Sequence, residues 1–381
     1  MIYLDYAAAT PLDDSVRQAM DPFWQDQFYN PSASYLAGRR VAQELLAART
    51  KIAIALGARP SEIVFTAGGT EADNLAINGI MDSFPGAKLL VGSTEHKAVL
   101  DAAQQYDHAL VPVDHDGRIR TDKLTQLMDS KTVLVSVMYA NNETGTIQPL
   151  KRIAQIVQAE RQRRSQQGET LPLYFHTDAS QATNYLDLHV SRLGVDMMTI
   201  NGGKIYGPKQ SGALYVKAGI ELRPLVRGGG QERGLRSGTE NVAGCIGLAT
   251  AVVLAQDSRL VESERLQGLR DYFEESLKTL SPQITINGGK HRLPNNSHIT
   301  FPGLDNERLM MELDEQGIVC AVGSACAASD DEPSHALQAM GLTKNEAQSS
   351  LRFTMGRTTT KKDLAKVLKA LEKSGVKSFS E

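Results

Sequence analysis

Between residues 60 and 216, short apolar runs alternate with longer amphipathic stretches, and no other feature of this 381-residue chain restricts its fold as much. EIVF (62–65), KLLVGS (88–93), TVLVSVMY (132–139), LPLYFHT (171–177), VDMMTI (195–200) and GALYV (212–216) have the length and side chains of strands. Most are apolar nearly throughout, as parallel strands covered on both faces must be. The stretches between them, such as TEADNLAINGIM and LKRIAQIVQAERQRRSQQ, are long enough to cross over from one parallel strand to the next. The fold class is therefore α/β.

Downstream, VRGGGQERGLRSGT can only be loop, and an apolar helix near 240–256 and a charged helix near 258–280 are expected after it. Strands at 284–288, 298–301 and 317–324 and helices at 305–316 and 360–374 then describe a smaller α+β unit, with a boundary near residue 257. Charge excludes one class of partner: 41 Lys+Arg against 44 Asp+Glu leave −3, too little basic surplus for a nucleic-acid binder that works by counterion release. No continuous apolar run approaches the roughly 18 residues of a membrane span. The start, MIYLDYAAATP, has an acidic residue and two tyrosines where a secretory signal needs basic and apolar segments, and predicts a cytoplasmic protein. Three cysteines, Cys245, Cys320 and Cys326, show neither a disulfide framework nor zinc spacing, and no metal site is expected.

Open parallel sheets bind ligands beyond the carboxyl ends of their strands, so the residues that follow each run are the candidates for chemistry. After EIVF comes TAGGTEADN, where Gly69 and Thr70 open a helix whose free N–H groups suit a phosphate. His96 follows KLLVGS, Asn142 follows TVLVSVMY, Asp178 and Gln181 follow LPLYFHT, and Asn201 and Lys204 follow VDMMTI. Singly each has an ordinary structural explanation, since an aspartate after a strand is most often a helix cap and a loop lysine is usually just solvated. Five strands delivering polar groups to one edge is a different matter. A phosphate cradle, an aspartate, an imidazole and a lysine are what an aldehyde cofactor with a pyridine ring requires: a Schiff-base partner, a group that keeps the ring nitrogen protonated, and a face to stack on. That cofactor is pyridoxal 5'-phosphate.

The runs YLDYAAATP, FTAGGTEADN, TEHKAVLD, NNETG, HTDASQA, KIYGPKQSGALYV, GGGQERGLRSGTENV, GSAC and SLRFTMGR, in this order, resemble the cysteine desulfurases of the NifS/IscS type. Those belong to the class V aminotransferase group of fold type I pyridoxal phosphate enzymes. The resemblance spans about residues 2–373. It implies a large cofactor-binding domain at 14–257 with a mainly parallel sheet, and a small domain from 1–13 and 258–381 that carries a catalytic cysteine loop. It also implies that Lys204 binds the cofactor aldehyde, that Asp178 faces the ring nitrogen, and that His96 stacks on the ring and moves protons. Asn142 and Gln181 would bond the ring hydroxyl side, and Gly69, Thr70 and Asn201 the phosphate. Thr239 would reach the phosphate of a second subunit, which makes the protein a homodimer. Arg352 would grip the carboxylate of L-cysteine, a task suited to a guanidinium fork.

Cys326, in GSACAASDDEP, would attack the sulfur of bound cysteine, become a persulfide and release alanine. Small and acidic residues around it suggest an exposed loop, and its spacing to Pro333 resembles the longer-loop subgroup, whose persulfide is passed to acceptor proteins. Cys245 and Cys320, in apolar segments, are expected to be buried and structural. The sulfur would serve iron–sulfur cluster assembly or tRNA thiolation, and the ending KALEKSGVKSFSE, short for the family, points to no particular acceptor. Two positions depart from the family. Asn201-Gly202-Gly203-Lys204 replaces Ser-x-His-Lys, exchanging a phosphate-binding hydroxyl for an amide and removing an imidazole, and Tyr35 stands where histidine is common. Selenocysteine lyase or another β-eliminating lyase is the neighbouring reading, and a regulatory homologue that keeps the fold is the distant one.

Overall fold

A computed structural model describes residues 1–323 and 333–376 of the chain. Its strands are β1 (Ile2–Tyr3), β2 (Ile63–Thr66), β3 (Lys88–Gly92), β4 (Asp107–Val111), β5 (Thr132–Ser136), β6 (Tyr174–Asp178), β7 (Met197–Asn201), β8 (Gly212–Val216), β9 (Thr285–Asn287), β10 (Asn296–Thr300), β11 (Ile318–Val319) and β12 (Ser350–Thr354). Seven form the central sheet in the order β2-β8-β7-β6-β5-β3-β4. β8 runs antiparallel to both its neighbours, while β4, β3, β5, β6 and β7 are mutually parallel. β2, reversed relative to β8, therefore points the same way as β7. The five strands whose ends carry the candidate residues thus share one direction and open on one edge.

Burial explains the apolar runs. Ile63, Phe65, Leu90, Met198 and Ile200 belong to the core on one face, and Val64, Leu89, Val91, Met197 and Leu214 to the core on the other. This is the two-residue period of a strand with both faces covered. A fully buried Leu or Phe contributes about 1.5–3 kcal/mol relative to leaving it in water. Helices Gly69–Met81, Lys97–Ala103 and Leu150–Gln167 supply crossovers.

Three features differ from the sequence reading. Residues 242–280 form one helix, Val242–Leu280, not two. Its apolar first part, long enough by composition to span a membrane, has half of its residues buried within the protein. Leu260 and Val261 are exposed midway, and burial resumes at Leu266, Phe273 and Leu277. Residue 257, where the domain boundary is expected, lies within this helix, whose surroundings change along its length. Of the strand expected at 317–324, the described residues form Ile318–Val319, which pairs in parallel with Ile2–Tyr3 and so ties the amino terminus to the late part of the chain. Finally, β12, which contains Arg352, forms an antiparallel sheet with β10 and β9.

Candidate active site

β2 ends at Thr66, and the chain then turns at Gly68, whose φ of 130° only glycine adopts readily, to start the helix Gly69–Met81. A Cβ built at Gly69 would lie 3.1 Å from both the Asn201 Nδ2 and the Ser180 Oγ. A helix amino terminus, an amide donor and a hydroxyl thus converge on one point that glycine leaves open. That is the donor set of a phosphate cradle. Asn201 takes the place where a hydroxyl was expected and keeps donor capacity there, while its Oδ1 accepts from Gly203 N–H at 3.1 Å and shapes the turn to Lys204.

A cavity of ≈ 210 Å³ extends from this cradle and is lined by Gly69, Thr70, His96, Asn142, Asp178, Gln181, Asn201, Lys204 and Arg352. Nine of the residues singled out in the sequence are therefore brought together. Lys204 is held by its backbone and its side chain: its carbonyl accepts from Asn184 Nδ2 at 2.8 Å, and its Nζ donates to the carbonyl of Ala8 at 2.6 Å. Gln181 Nε2 donates to the carbonyl of Ala7 at 3.0 Å. Residues 7 and 8 form a wall of the cavity, a role that no local pattern in YLDYAAATP discloses, because the partners are over 170 positions away. Ser180 was also missed, although it lies inside the quoted run HTDASQA.

The electrostatics grade the site. Asp178, at the end of β6, accepts from Ser180 N–H at 2.8 Å. Beneath it Asp73 and Glu95 are almost completely buried. Burial pushes both carboxyls well above the usual range, and the charge of Asp178 adds to the effect. His176, fully buried, bonds Ser136 Oγ at 2.9 Å and Thr199 Oγ1 at 3.1 Å. Burial lowers its pKa to about 3, and it stays neutral. His96 caps the helix Lys97–Ala103, its Nδ1 accepting from Ala98 N–H at 3.1 Å. The neutral ring then carries its proton on Nε2. Burial lowers its pKa; Asp178 opposes that shift and Lys204 reinforces it.

Arg352 is 1% exposed. Its Nη2 donates to Asp5 Oδ1 at 2.7 Å and its Nη1 to the carbonyl of Asn142 at 2.8 Å, while its Nε has no hydrogen-bond partner among the described residues. A buried, unsatisfied donor costs about 1–3 kcal/mol. Thr239 does not line this cavity. It is exposed and borders a second one of ≈ 250 Å³ with Phe65, Glu232, Arg236 and Cys245. Cys326 lies outside the described residues. Cys245 and Cys320 are buried and unpaired by disulfide, as expected.

The class-V aminotransferase family model matches residues 2–367. A cysteine desulfurase IscS of Dictyoglomus turgidum is 40% identical over 380 residues, covering 98% of this chain and 94% of that protein. Among solved structures, a NifS-like protein superposes with a TM-score of 0.89 at 31% identity, covering 98% of both chains. A structure described as SspA in complex with cysteine superposes with a TM-score of 0.81 at 33% identity, covering 93% of this chain and 99% of that one. The chain belongs to the class-V aminotransferase family, and within it to the cysteine desulfurases.

Proposed function

We propose that this protein binds pyridoxal phosphate in the cavity between Gly69 and Asp178, and that with it the protein moves sulfur from L-cysteine to Cys326. The observation that carries the reading is the convergence of the Gly69 helix terminus, Asn201 Nδ2 and Ser180 Oγ at one end of a cavity that also holds Asp178 and Lys204. Those donors would hold the phosphate, Lys204 would bind the aldehyde, Asp178 would face the ring nitrogen, and His96, Asn142 and Gln181 would pack around the ring. When bound, the cofactor supplies an electron sink for bond breaking beside the amino acid's α-carbon.

The chain's own residues do the rest. Arg352, held by Asp5 and Asn142, lines the cavity and fits the substrate carboxylate. His96, fixed by the Ala98 N–H bond to its Nδ1, lines the cavity and would stack on the ring and serve in proton transfer. In the transfer, the substrate's Cβ–Sγ bond breaks, an S–S bond to Cys326 forms, and the carbon skeleton leaves as alanine after gaining a proton at Cβ. The persulfide is the form in which sulfur passes to an acceptor protein for iron–sulfur cluster assembly or tRNA thiolation. Thr239, exposed and away from the cavity of its own chain, fits a homodimer in which it completes the partner's phosphate site. Loaded protein given L-cysteine should release alanine and carry a persulfide on Cys326, and Cys326→Ala should form no persulfide while keeping the cofactor spectrum. Undiminished sulfur release by Cys326→Ala would favour a lyase instead.

A further inference from the structure

Asn141, Asn142 and Glu143 form one turn that faces three ways. The Asn141 side chain holds the turn, accepting from Glu143 and Thr144 N–H groups at 2.9 Å each. Asn142 lines the cofactor cavity and gives its carbonyl to Arg352. The Glu143 side chain points elsewhere. Its carboxylate is buried, 2% exposed, and Oε2 accepts from Ser334 Oγ at 2.6 Å. The same Oε2 lies 3.5 Å from where a Cβ at Gly323 would stand.

Gly323 and Ser334 flank the stretch that contains Cys326. The near flank is fastened to Arg352: Ala321 and Arg352 exchange both backbone hydrogen bonds, at 3.1 and 2.7 Å. Gly323 follows with φ of +101°, a conformation that fixes the exit direction and suits glycine. The far flank is fastened by the Ser334 bond to Glu143 and by a 2.9 Å contact of His335 Nε2 with the carbonyl of Glu95, next to His96. A buried carboxylate bond of this kind is stronger than a neutral one and costs more to break.

We propose that Glu143 is a positioning residue for sulfur transfer: its carboxylate fixes Ser334, the far flank of the Cys326 stretch, to the turn that presents Asn142 to the cavity, and so sets the rate at which the Cys326 thiol meets the substrate sulfur. The proposal rests on the reading of Cys326 as the sulfur acceptor. Because Glu143 itself does not line the cavity, loss of the tether should slow sulfur transfer and spare the binding of cysteine.

Ser334 also caps the helix His335–Ala339, its Oγ accepting from Leu337 N–H, so its two roles must be separated. Ser334→Asp keeps a capping oxygen but has no proton to give Glu143 and repels it. Adding Glu143→Gln restores a donor–acceptor pair with the polarity reversed. The holoenzyme is mixed with L-cysteine for a single turnover, Cys326 persulfide is followed by alkylation and mass spectrometry, and the cysteine-dependent change in cofactor absorbance is recorded in parallel. Ser334→Asp should slow persulfide formation by about tenfold or more with the absorbance change intact, and the double variant should recover most of the loss. Without cysteine, iodoacetamide should label Cys326 roughly threefold faster in Ser334→Asp than in wild type or the double variant. Wild-type rates of transfer and labelling in Ser334→Asp would overturn the proposal alone. A wild-type protein that shows the absorbance change but never forms the persulfide would overturn the Cys326 reading and this proposal with it.

Discussion

Arg352 and Asp5, 347 positions apart, meet at 2.7 Å in a nearly sealed pocket edge, with side-chain exposures of 2% and 14%. The pair joins the first residues of the chain to β12 and leaves Arg352 oriented toward the cavity. Removing one member of a buried pair strands the other, at a cost of about 3–5 kcal/mol. Asp5→Ala is expected to lower the urea midpoint and raise KM for L-cysteine more than it lowers kcat. Steady-state kinetics beside equilibrium unfolding check this; an unchanged KM would separate Asp5 from substrate binding.

The cradle makes Gly69 irreplaceable. An alanine methyl there would stand 3.1 Å from Asn201 Nδ2 and Ser180 Oγ, inside the space a phosphate oxygen needs. Gly69→Ala should weaken pyridoxal phosphate by about tenfold or more, corresponding to the loss of a charge-assisted bond of about 1.5–3 kcal/mol, with little effect on folding. Titration of the apoprotein by absorbance measures it.

Thiol reactivity should be confined to one position. Burial pushes the Cys320 thiol up to about 12 and raises that of Cys245 as well. At pH 8 about one Cys320 thiol in ten thousand would be ionised, and only the thiolate reacts. Brief alkylation of the native protein should therefore mark Cys326 alone in a peptide map.

Acid should destabilise the fold through buried histidines. Burial lowers both His176 and His298 to about 3, against an ordinary value of 6.5. Below pH 6.5 the unfolded chain binds protons that the native state refuses. The stability they contribute is present above the unfolded value and is lost as pH falls toward 3, by up to about 1.4 kcal/mol per pH unit for each. Urea midpoints at pH 7 and pH 5 should show the drop, and His298→Asn should flatten it.

Much of this was legible before any coordinates. β3, β5, β6, β7 and β8 announce themselves because strands buried on both faces need continuous apolar residues. β4 does not: DHALV is an edge strand with polar residues and an exposed Leu110. The long helix reads as two because its packing surroundings change while its backbone does not. Most of the cavity residues follow their strands, while Arg352, inside β12, is reached only through the family resemblance. Asp5, Ala7, Ala8 and Asp73 were not legible, because their roles depend on tertiary neighbours that no spacing encodes. Asn201, which stands where the family has a hydroxyl, brings its amide to 3.1 Å from where a Gly69 Cβ would stand, a position the sequence alone could not give.

The proposed function depends on one cavity holding pyridoxal phosphate between Lys204 and Asp178. Its most direct test is borohydride reduction of the loaded protein followed by peptide mapping. A single reduced pyridoxyl adduct is expected, on the peptide containing Lys204, and none in Lys204→Ala. An adduct on another lysine, or a protein that takes up no cofactor at all, would contradict it.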